Sequence, residues 1–445
     1  MPQWLEHVHP RWSSRNFDLI LAARLTMSMG RALAGVVTPI YLAIQGFSAF
    51  ELAEYVMTVA FASAVLSAAI GLISDQIGRR IFLIVIPMFA AVAGVMFAIS
   101  DATPLLFAMG ALGSYGRGAG AGAGAVGPYQ PAESAFVTDE VAPRHRNAAF
   151  GRLAFSSSLG ATAGGLLALL VHETRAHGTA AMHAYEPVFL VTAAVSLCSG
   201  LLALGLREPG RRPERPDGHH DGSDASGAAA PRRLRIRLPR RSWWLLSRLW
   251  VTNTVNGIAV GMFGPFVSYW LFRRFGAGPD KVGVLFAVIN ATTTASALSA
   301  ASLARRYGLV RTITVVRSFQ AVLLVPMVLS PSFAIAGAIY LVRMIVQRIG
   351  LPLRQSYAIA LADPAERSSV VALSNLPSQL AMAGSPMLTG YLMDEVSLAA
   401  PFEISAVFQL VNAATFWLFF HRLPPEEERA PVSPEQIAVQ ASPDD

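Results

Sequence analysis

Three arginines lie deep inside apolar stretches that are long enough to span a bilayer: Arg31, Arg117 and Arg343. An arginine at the bilayer centre costs at least about 2.5–3.5 kcal/mol, so each is expected to face a cavity or a polar partner. The planar guanidinium suits a carboxylate or a phosphate. The three side chains are therefore candidates for binding an anionic group of a small molecule. A structural alternative is that they bond helix carbonyls or neighbours such as Gln320 and Asn375.

Acidic side chains that could carry a proton are few in these stretches. Glu54 and Glu133 are the candidates, and both are expected to lie nearer to the ends of their stretches than the arginines. No histidine falls deep in an apolar stretch, so a histidine relay is not predicted. The sequence thus predicts a cavity that holds fixed positive charges without a buried acid to pair them.

The motifs of common enzyme classes are missing from the sequence. Lys281, the only lysine, stands in Pro-Asp-Lys-Val, so the chain has no Gly-Lys-Ser/Thr phosphate loop and is not an ATPase. Cys198 is the only cysteine, which excludes a disulfide or a cysteine metal site. The glycine-rich stretch at 116–124 has no preceding strand and is expected to be a helix-packing face. Without zinc-ligand spacing, a G-x-S-x-G elbow or paired deep carboxylates, we expect no enzyme, no cofactor and no metal site.

The composition is that of a polytopic membrane protein. Of the 445 residues, 53% are hydrophobic and 14% are charged, and the mean hydropathy is +0.46. Soluble domains carry about 25% charged residues, so a soluble multidomain enzyme and a disordered chain are both excluded. The net charge of +7 fits arginine-rich cytoplasmic loops and does not by itself indicate nucleic acid. Glu6, Arg11 and Arg15 precede the first apolar stretch, so no cleavable signal is predicted.

Roughly twelve stretches reach the length of about 20 apolar residues that a spanning helix needs. They are Phe17–Gln45, Glu51–Ile73, Ile81–Ser100, Pro104–Gly127, Ala149–Val171, Pro187–Leu206, Trp243–Phe272, Val282–Leu303, Val310–Leu329, Phe333–Leu353, Val370–Met393 and Pro401–Phe420. The predicted organisation is an N-terminal arm (1–16), a six-helix bundle (17–206), a flexible linker (207–242), a second bundle (243–421) and a polar tail (422–445).

Arginine density in the loops predicts the orientation of the chain. The loops after even-numbered stretches carry pairs such as Arg79 with Arg80 and Arg305 with Arg306, whereas the opposite loops hold mainly acids. Short cytoplasmic loops are enriched in Lys and Arg. We therefore expect a multi-pass protein of the cytoplasmic (inner) membrane with both termini, the arm, the linker and the tail in the cytoplasm.

An internal repeat relates the two halves of the chain. Four pairs of residues recur at an offset of about 225 residues: Arg24 with Arg248, Pro39 with Pro265, Gly78 with Gly308, and Arg117 with Arg343. A steady offset of half the chain predicts two six-helix halves in parallel orientation.

The second stretch ends in GLISDQIGRR, residues 71–80. The glycines allow backbones to approach, the acid at a helix end can face the N-terminus of a neighbouring helix, and the arginines favour the cytoplasmic side. This segment resembles the signature G-x-x-x-D-[RK]-x-G-[RK]-[RK] that follows the second helix in the major facilitator superfamily, with Gln76 in place of a basic residue. Twelve spans, two halves and a basic linker are similar to that family along nearly the whole chain.

This resemblance implies an all-α membrane protein with twelve transmembrane helices in two pseudo-symmetric six-helix bundles. It implies a latch between the halves in the outward-open state, formed by Gly71, Asp75, Gly78, Arg79 and Arg80. It also implies that the first, fourth, seventh and tenth helices line the central cavity. Asn253 and Asn256 of the seventh helix would then join the three deep arginines as substrate-cavity residues.

The segment LGATAGG at 159–165 resembles the glycine-rich motif of exporters in the same superfamily, although ordinary helix packing explains it equally well. We therefore expect a secondary active transporter of a prokaryotic, drug-exporter-like branch that exports a small organic solute, anionic or amphiphilic, by alternating access. Its expected partners are that solute, membrane lipid and candidate coupling protons, with no nucleic acid, and it is expected to be a monomer. The alternatives are an importer or uniporter of a metabolite, or a non-transporting membrane sensor of the same fold.

Overall fold

The structure is a computed structural model that describes residues 12–116, 127–171, 179–208, 242–296, 306–361, 370 and 373–423. Every regular element in these ranges is helical. The helices are α1 (Arg15–Ile44), α2 (Ala49–Ile77), α3 (Arg79–Ile99), α4 (Thr103–Gly113), α5 (Tyr129–Glu140), α6 (Arg146–Leu167), α7 (Thr179–Leu204), α8 (Trp243–Phe263), α9 (Val267–Phe275), α10 (Pro279–Ser296), α11 (Leu309–Val328), α12 (Phe333–Leu361), α13 (Leu376–Glu395) and α14 (Ala400–Phe420).

The helix arrangement confirms the predicted fold. The helices α4 and α5 together form the fourth span, and α8 and α9, joined by a 3₁₀ turn at Gly264–Phe266, form the seventh. Counted in this way, the fourteen helices give the twelve spans that were expected. By length and composition, nine helical segments of the described ranges could cross a membrane.

The two halves repeat the same packing, which supports the internal repeat. In the first half, α1 packs on α6 and α7, and α3 packs on α7. In the second half, α8 packs on α13 and α14, and α11 packs on α14. Gly78 and Gly308 precede α3 and α11 with φ angles of 105° and 80°, a conformation that glycine adopts without strain. The two glycines therefore make equivalent turns in the two halves.

Two predicted span ends are wrong, and the sixth span begins at Thr179 and not at the expected Pro187. The fourth span was expected to end at Gly127, but the chain is helical again over Tyr129–Glu140. The tenth span was expected to end at Leu353 and leave Arg354 in a loop, but α12 continues to Leu361. Both extensions are polar, so hydropathy alone misses them, although their backbones keep the helical hydrogen bonds that a membrane-embedded bundle requires. The expected linker and tail lie almost entirely outside the described residues.

Among the described residues, the apolar core is continuous across the halves at one end of the bundle only. We call the end where α1 begins and α14 ends the terminal end, and the opposite end the distal end. At the distal end, one cluster of buried side chains joins both halves, with Tyr41 of α1 and Trp270 of α9 among its members. At the terminal end each half has a cluster of its own, one around Phe136 and the other around Tyr357.

Two seams join the halves at the distal end. In the first seam, α6 packs on α10, and a Cβ on Gly283 would overlap the carbonyl oxygen of Gly165. In the second, α2 packs on α13, and a Cβ on Gly390 would lie 2.7 Å from the Cβ of Ala53. Small residues at these positions let the helix backbones approach closely.

The second seam opens towards the terminal end. A Cβ on Gly71 of α2 or on Gly384 of α13 would meet no atom within 4 Å. Leu380, one turn from Gly384, is 75% exposed. Within the part of the chain that the structure describes, the halves are therefore in contact at the distal end and apart at the terminal end.

Candidate functional site

A buried ion pair joins α1 to α5 inside the first half. The guanidinium of Arg24 donates to Oε2 of Glu133, and both residues are buried, with Glu133 2% exposed. The other carboxylate oxygen of Glu133 has no hydrogen-bond partner among the described residues. The expectation that no acid lies deep beside the arginines is therefore wrong. Hydropathy ends the fourth span before Tyr129 and places Glu133 near a loop, so the ion pair is not visible in the sequence.

The first predicted cavity arginine, Arg31, lies two turns after Arg24 on α1 and is half-buried. A Cβ on Gly127 would lie 3.2 Å from both terminal nitrogens of Arg31, so the absence of a side chain there makes room for the guanidinium. Gly127 comes just before α5 begins. Arg31 thus lies beside the start of α5, the helix that carries Glu133. Arg117 lies outside the described residues.

The structure places Arg343 inside the second half, not on an open cavity. The residue is 2% exposed, and its guanidinium carbon lies 4.1 Å from the ring centroid of Phe263 on α8. One terminal nitrogen donates to Oε1 of Gln409 on α14, at 3.2 Å. An aromatic face and an amide oxygen both stabilise a buried guanidinium. In this conformation Arg343 is held inside its own half, and its contact with cargo remains a prediction.

A second buried arginine of this half was not predicted. Arg317 of α11 donates to the side-chain oxygen of Asn412 and lies over the ring of Phe416, 5.2 Å from its centroid. Asn412 in turn donates to the backbone carbonyl of Thr252 on α8. The signal was present in the sequence, because Ser405, Gln409 and Asn412 are spaced by four and three residues and form one polar stripe on the otherwise apolar α14.

The remaining predicted cavity and proton-coupling residues have different surroundings. Asn253 is buried and donates to the carbonyl oxygen of Ser374 at 2.7 Å, so its amide ties α8 to the segment before α13. Asn256, one turn along α8, is half-buried. Glu54 is half-buried on α2. Of the two candidate acids, only Glu133 is fully enclosed.

The residues predicted to form the latch cluster at the terminal end of the first half. Arg79 forms an ion pair with Asp139 at the end of α5 and donates to the carbonyl oxygen of Ala135 at 2.7 Å. The backbone N–H groups of Arg79 and Arg80 donate to the carboxylate of Glu208, at 2.8 and 3.2 Å. Glu208 thus supplies the N-terminal cap of α3 that Gly78, having no side chain, cannot supply.

These contacts connect α3, α5 and the end of α7 within one half. The structure describes the backbone of Asp75 near the end of α2, but not its side chain. Gly71 borders open space. The predicted contact between the halves at this motif remains a prediction.

The glycine-rich segment of α6 packs against two neighbouring helices. A Cβ on Gly160 or Gly164 would overlap the carbonyl oxygens of Leu25 or Met29 on α1. Close helix crossing therefore accounts for these glycines. Among the residues that the structure describes, no group of three or more His, Cys, Asp or Glu side chains converges to hold a metal.

Comparisons with known proteins agree with this architecture. The family model of the Major Facilitator Superfamily matches residues 20–342 and 249–442. Among solved structures, a bacterial homolog of the human lysosomal transporter Spinster, in an inward-facing and unoccupied conformation, has a TM-score of 0.67 and 14% identity, covering 92% of this chain and 97% of that chain.

The nucleoside transporter NupG has a TM-score of 0.67 and 12% identity, covering 92% of this chain and 99% of that chain. A D-xylose–proton symporter has a TM-score of 0.64 and 13% identity, covering 90% and 96%. At these identities the structures support the fold alone. The search of curated proteins finds no match. Because the family model covers most of its length, the chain belongs to the Major Facilitator Superfamily.

Proposed function

We propose that the protein is a secondary active transporter that exports a small organic solute with an anionic group, by alternating access of one central site to the two sides of the membrane. The observation that carries this proposal is the distribution of the apolar core: one cluster shared by both halves at the distal end and two separate clusters at the terminal end. Two rigid bundles that meet at only one end can rock about a site between them.

The loop arginines assign the terminal end to the cytoplasm. The described conformation then corresponds to the inward-open state, in which solute enters the cavity from the cytoplasm. Export of that solute requires the distal seams to separate and the terminal ends of α2 and α13 to meet. The resemblance of the α6 glycine segment to the exporter motif is the support for this direction of transport.

The cargo assignment rests on Arg31 and on Arg117. Arg31 is half-buried where α5 begins, and Arg117 belongs to the same interrupted span. In the described conformation Arg343 is enclosed by its own half and contributes to the cargo site through its field rather than by contact. A positive, low-dielectric cavity attracts anions and repels cations.

Proton coupling is assigned to Glu133. Its carboxylate is enclosed, has one oxygen on Arg24 and has the other without a hydrogen-bond partner among the described residues. An ionisable side chain inside a membrane marks a functional candidate, and a carboxylate paired with an arginine can exchange a proton when the pair separates. Glu54, half-buried on α2, is the weaker candidate.

A thermal-shift screen followed by a transport assay tests the proposal. Benzoate, benzamide and benzylammonium have similar shapes and differ in charge, so we expect only anions of this kind to raise the melting temperature. Inverted vesicles that carry the protein should then take up the stabilising anion when their lumen is made acidic. Stabilisation by the cation, or anion uptake that ignores the pH gradient, would contradict the cargo or the coupling assignment respectively.

Matched variants separate the roles of the individual residues. Arg31→Ala should abolish the stabilisation by anions, whereas Arg311→Ala, which changes an exposed terminal-end arginine, should leave it unchanged. Glu133→Gln should remove the dependence of transport on pH while Glu54→Gln retains it. Uptake by right-side-out vesicles alone would show import and contradict the proposed direction.

A further inference from the structure

The N-terminus of α2 takes its cap partly from the other half of the protein. The first turn of a helix leaves backbone N–H groups without partners in the helix. The capping box of Ser48 and Glu51 satisfies two of them: the Glu51 N–H donates to the Ser48 hydroxyl at 3.1 Å, and the Ser48 N–H donates to the Glu51 carboxylate at 2.8 Å.

The two N–H groups between them donate to one carboxylate of the second half. The N–H of Ala49 donates to Oδ1 of Asp394 at 3.1 Å, and the N–H of Phe50 donates to Oδ2 at 2.8 Å. Asp394 lies at the end of α13, and Gly390 one turn earlier rests against α2. Both carboxylate oxygens are therefore used across the seam, at the helix end where the dipole stabilises an anion.

This contact exists only while the distal end is closed. Separating α2 from α13 would leave the N–H groups of Ala49 and Phe50 to water and would remove the carboxylate from the helix dipole. In the other seam, Ala168 of the first half packs on Gly283 through its Cβ, and the hydroxyl of Ser158 donates to the carbonyl oxygen of Asn290 at 3.0 Å.

We propose that Asp394 is a conformational lock that holds the distal side of the transporter closed by capping α2 across the seam. The inference rests on the proposed alternating access, because a lock has a function only if the distal side also opens. It predicts that removing the charge of Asp394 increases the population of the distally open state without any cargo present.

The reporter for this population is a cysteine buried in the shared distal cluster. Ser268 of α9 is 2% exposed and stands between Val267 and Tyr269, two members of the shared distal cluster, and Cys differs from Ser by one atom. Ser268→Cys in a Cys198→Ser background therefore places one buried thiol at the distal end. Its alkylation by N-ethylmaleimide in purified protein requires opening. The alkylation rate therefore follows the open population even when that population is small.

Asp394→Asn should raise this rate by about 2- to 5-fold, the range for an exposed charge at a helix N-terminus. Glu395→Gln is the matched control, because it removes the same charge from the next residue, which is also exposed. We expect the alkylation rate in Glu395→Gln to equal that of the reporter protein. Raising the ionic strength from low to high salt should increase the rate in the reporter protein and should have little effect after Asp394→Asn, since salt screens exposed charges.

Equal rates in Asp394→Asn and Glu395→Gln would overturn the lock, as would a rate in the reporter protein that does not depend on salt. The salt dependence of the alkylation rate in the reporter protein tests the lock even if Asp394→Asn fails to fold. Because no cargo is used, the result is independent of the transport assays: a faster rate together with absent transport would contradict the proposed function and leave the lock intact.

Discussion

The buried arginines of this protein differ in the groups that contact their guanidinium. Arg24 is paired with the carboxylate of Glu133, whereas Arg317 and Arg343 are held by the amides of Asn412 and Gln409 and by aromatic rings. Removing one partner of a buried ion pair is strongly destabilising, because the other charge stays buried without it. The ion pair of Arg24 with Glu133 can exchange a proton, whereas Arg317 and Arg343 keep fixed positive charges inside the bundle.

Glu133→Ala should destabilise the protein by about 3–5 kcal/mol, because it leaves Arg24 buried without its counter-ion. The double variant Arg24→Met with Glu133→Leu should recover most of this loss, since neither charge remains. Thermal and denaturant unfolding in detergent measure the effect. Glu54→Ala, at a half-buried acid, is the control and should cost under about 1 kcal/mol. Equal losses at Glu54 and Glu133 would contradict a buried ion pair.

Arg343→Met should lower the free energy of unfolding by about 1–3 kcal/mol, because it removes the contact with Phe263 and the hydrogen bond to Gln409. The shift in melting temperature caused by an anionic ligand should survive in this variant, in contrast to Arg31→Ala. Both quantities come from the same thermal-shift titration. If Arg343→Met were as stable as the unsubstituted protein but no longer responded to anions, Arg343 would belong to the cargo site.

At the scale of the helices, α2 and α13 form an antiparallel pair with an acid near the C-terminal end of each. Asp394 of α13 contacts the N-terminus of α2 at the distal end. Asp75 of α2 lies at the other end of the same pair and is predicted to face the N-terminus of α13 when the terminal end closes. The two contacts would then exclude each other, because the helices meet at only one end at a time.

Asp75→Asn should shift the equilibrium in the direction opposite to Asp394→Asn. Loss of the terminal-end contact removes about 0.3–2 kcal/mol from the distally open state. Alkylation of the Ser268→Cys reporter should therefore slow down, and transport should fall while membrane insertion is retained. Asp101→Asn, in the exposed loop after α3, is the charge-matched control. An unchanged reporter rate together with unchanged transport would contradict the latch.

Two glycines of α13 offer a matched test of the seam. Gly390→Ala places a Cβ against Ala53 and Phe50, and overpacking of this kind costs about 1–3 kcal/mol. The distal end should open more often and the reporter rate should increase. Gly384→Ala adds the same methyl group where no atom lies within 4 Å, so the rate should not change. An equal response of the two variants would show that helix propensity, not the seam, is responsible.

At the scale of the whole molecule, the halves pack alike internally, and their described residues share one apolar core at the distal end only. This arrangement follows from the internal repeat, since equivalent helices of each half form the two seams. Which side of the membrane faces the open end depends on the loop arginines. The topology is therefore the property that links the geometry to a direction of transport.

A cysteine introduced at Ser223, in the linker and outside the described residues, tests this topology. The Cys198→Ser protein with Ser223→Cys should react with a membrane-impermeant maleimide in inverted vesicles and should not react in intact cells, because arginine-rich segments stay in the cytoplasm. Ala102→Cys, in the exposed loop after α3, should show the reverse pattern. Labelling at position 223 from outside intact cells would invert the orientation.

The sequence by itself determined the class, the spans, the two halves and the family of this protein. Each of these depends on sums or spacings along the chain, such as apolar length, loop arginines and the recurrence of Gly78 as Gly308. The predicted span boundaries differ from the helices of the structure at polar segments such as Tyr129–Glu140, where hydropathy is low although the chain is helical. Apolar length is therefore a reliable guide to the number of spans and a poor one to where a polar span ends.

Only the tertiary structure decided which charges meet. Arg31 and Arg343 both stand within apolar helices, yet one approaches the interruption between α4 and α5 while the other lies against Phe263 and Gln409. The face that a membrane helix turns to its neighbours is poorly marked in the sequence, because lipid and protein core are both apolar. The partners of Arg24, Arg343 and Asp394 depend on helix rotation and on contacts between distant segments, which no local pattern specifies.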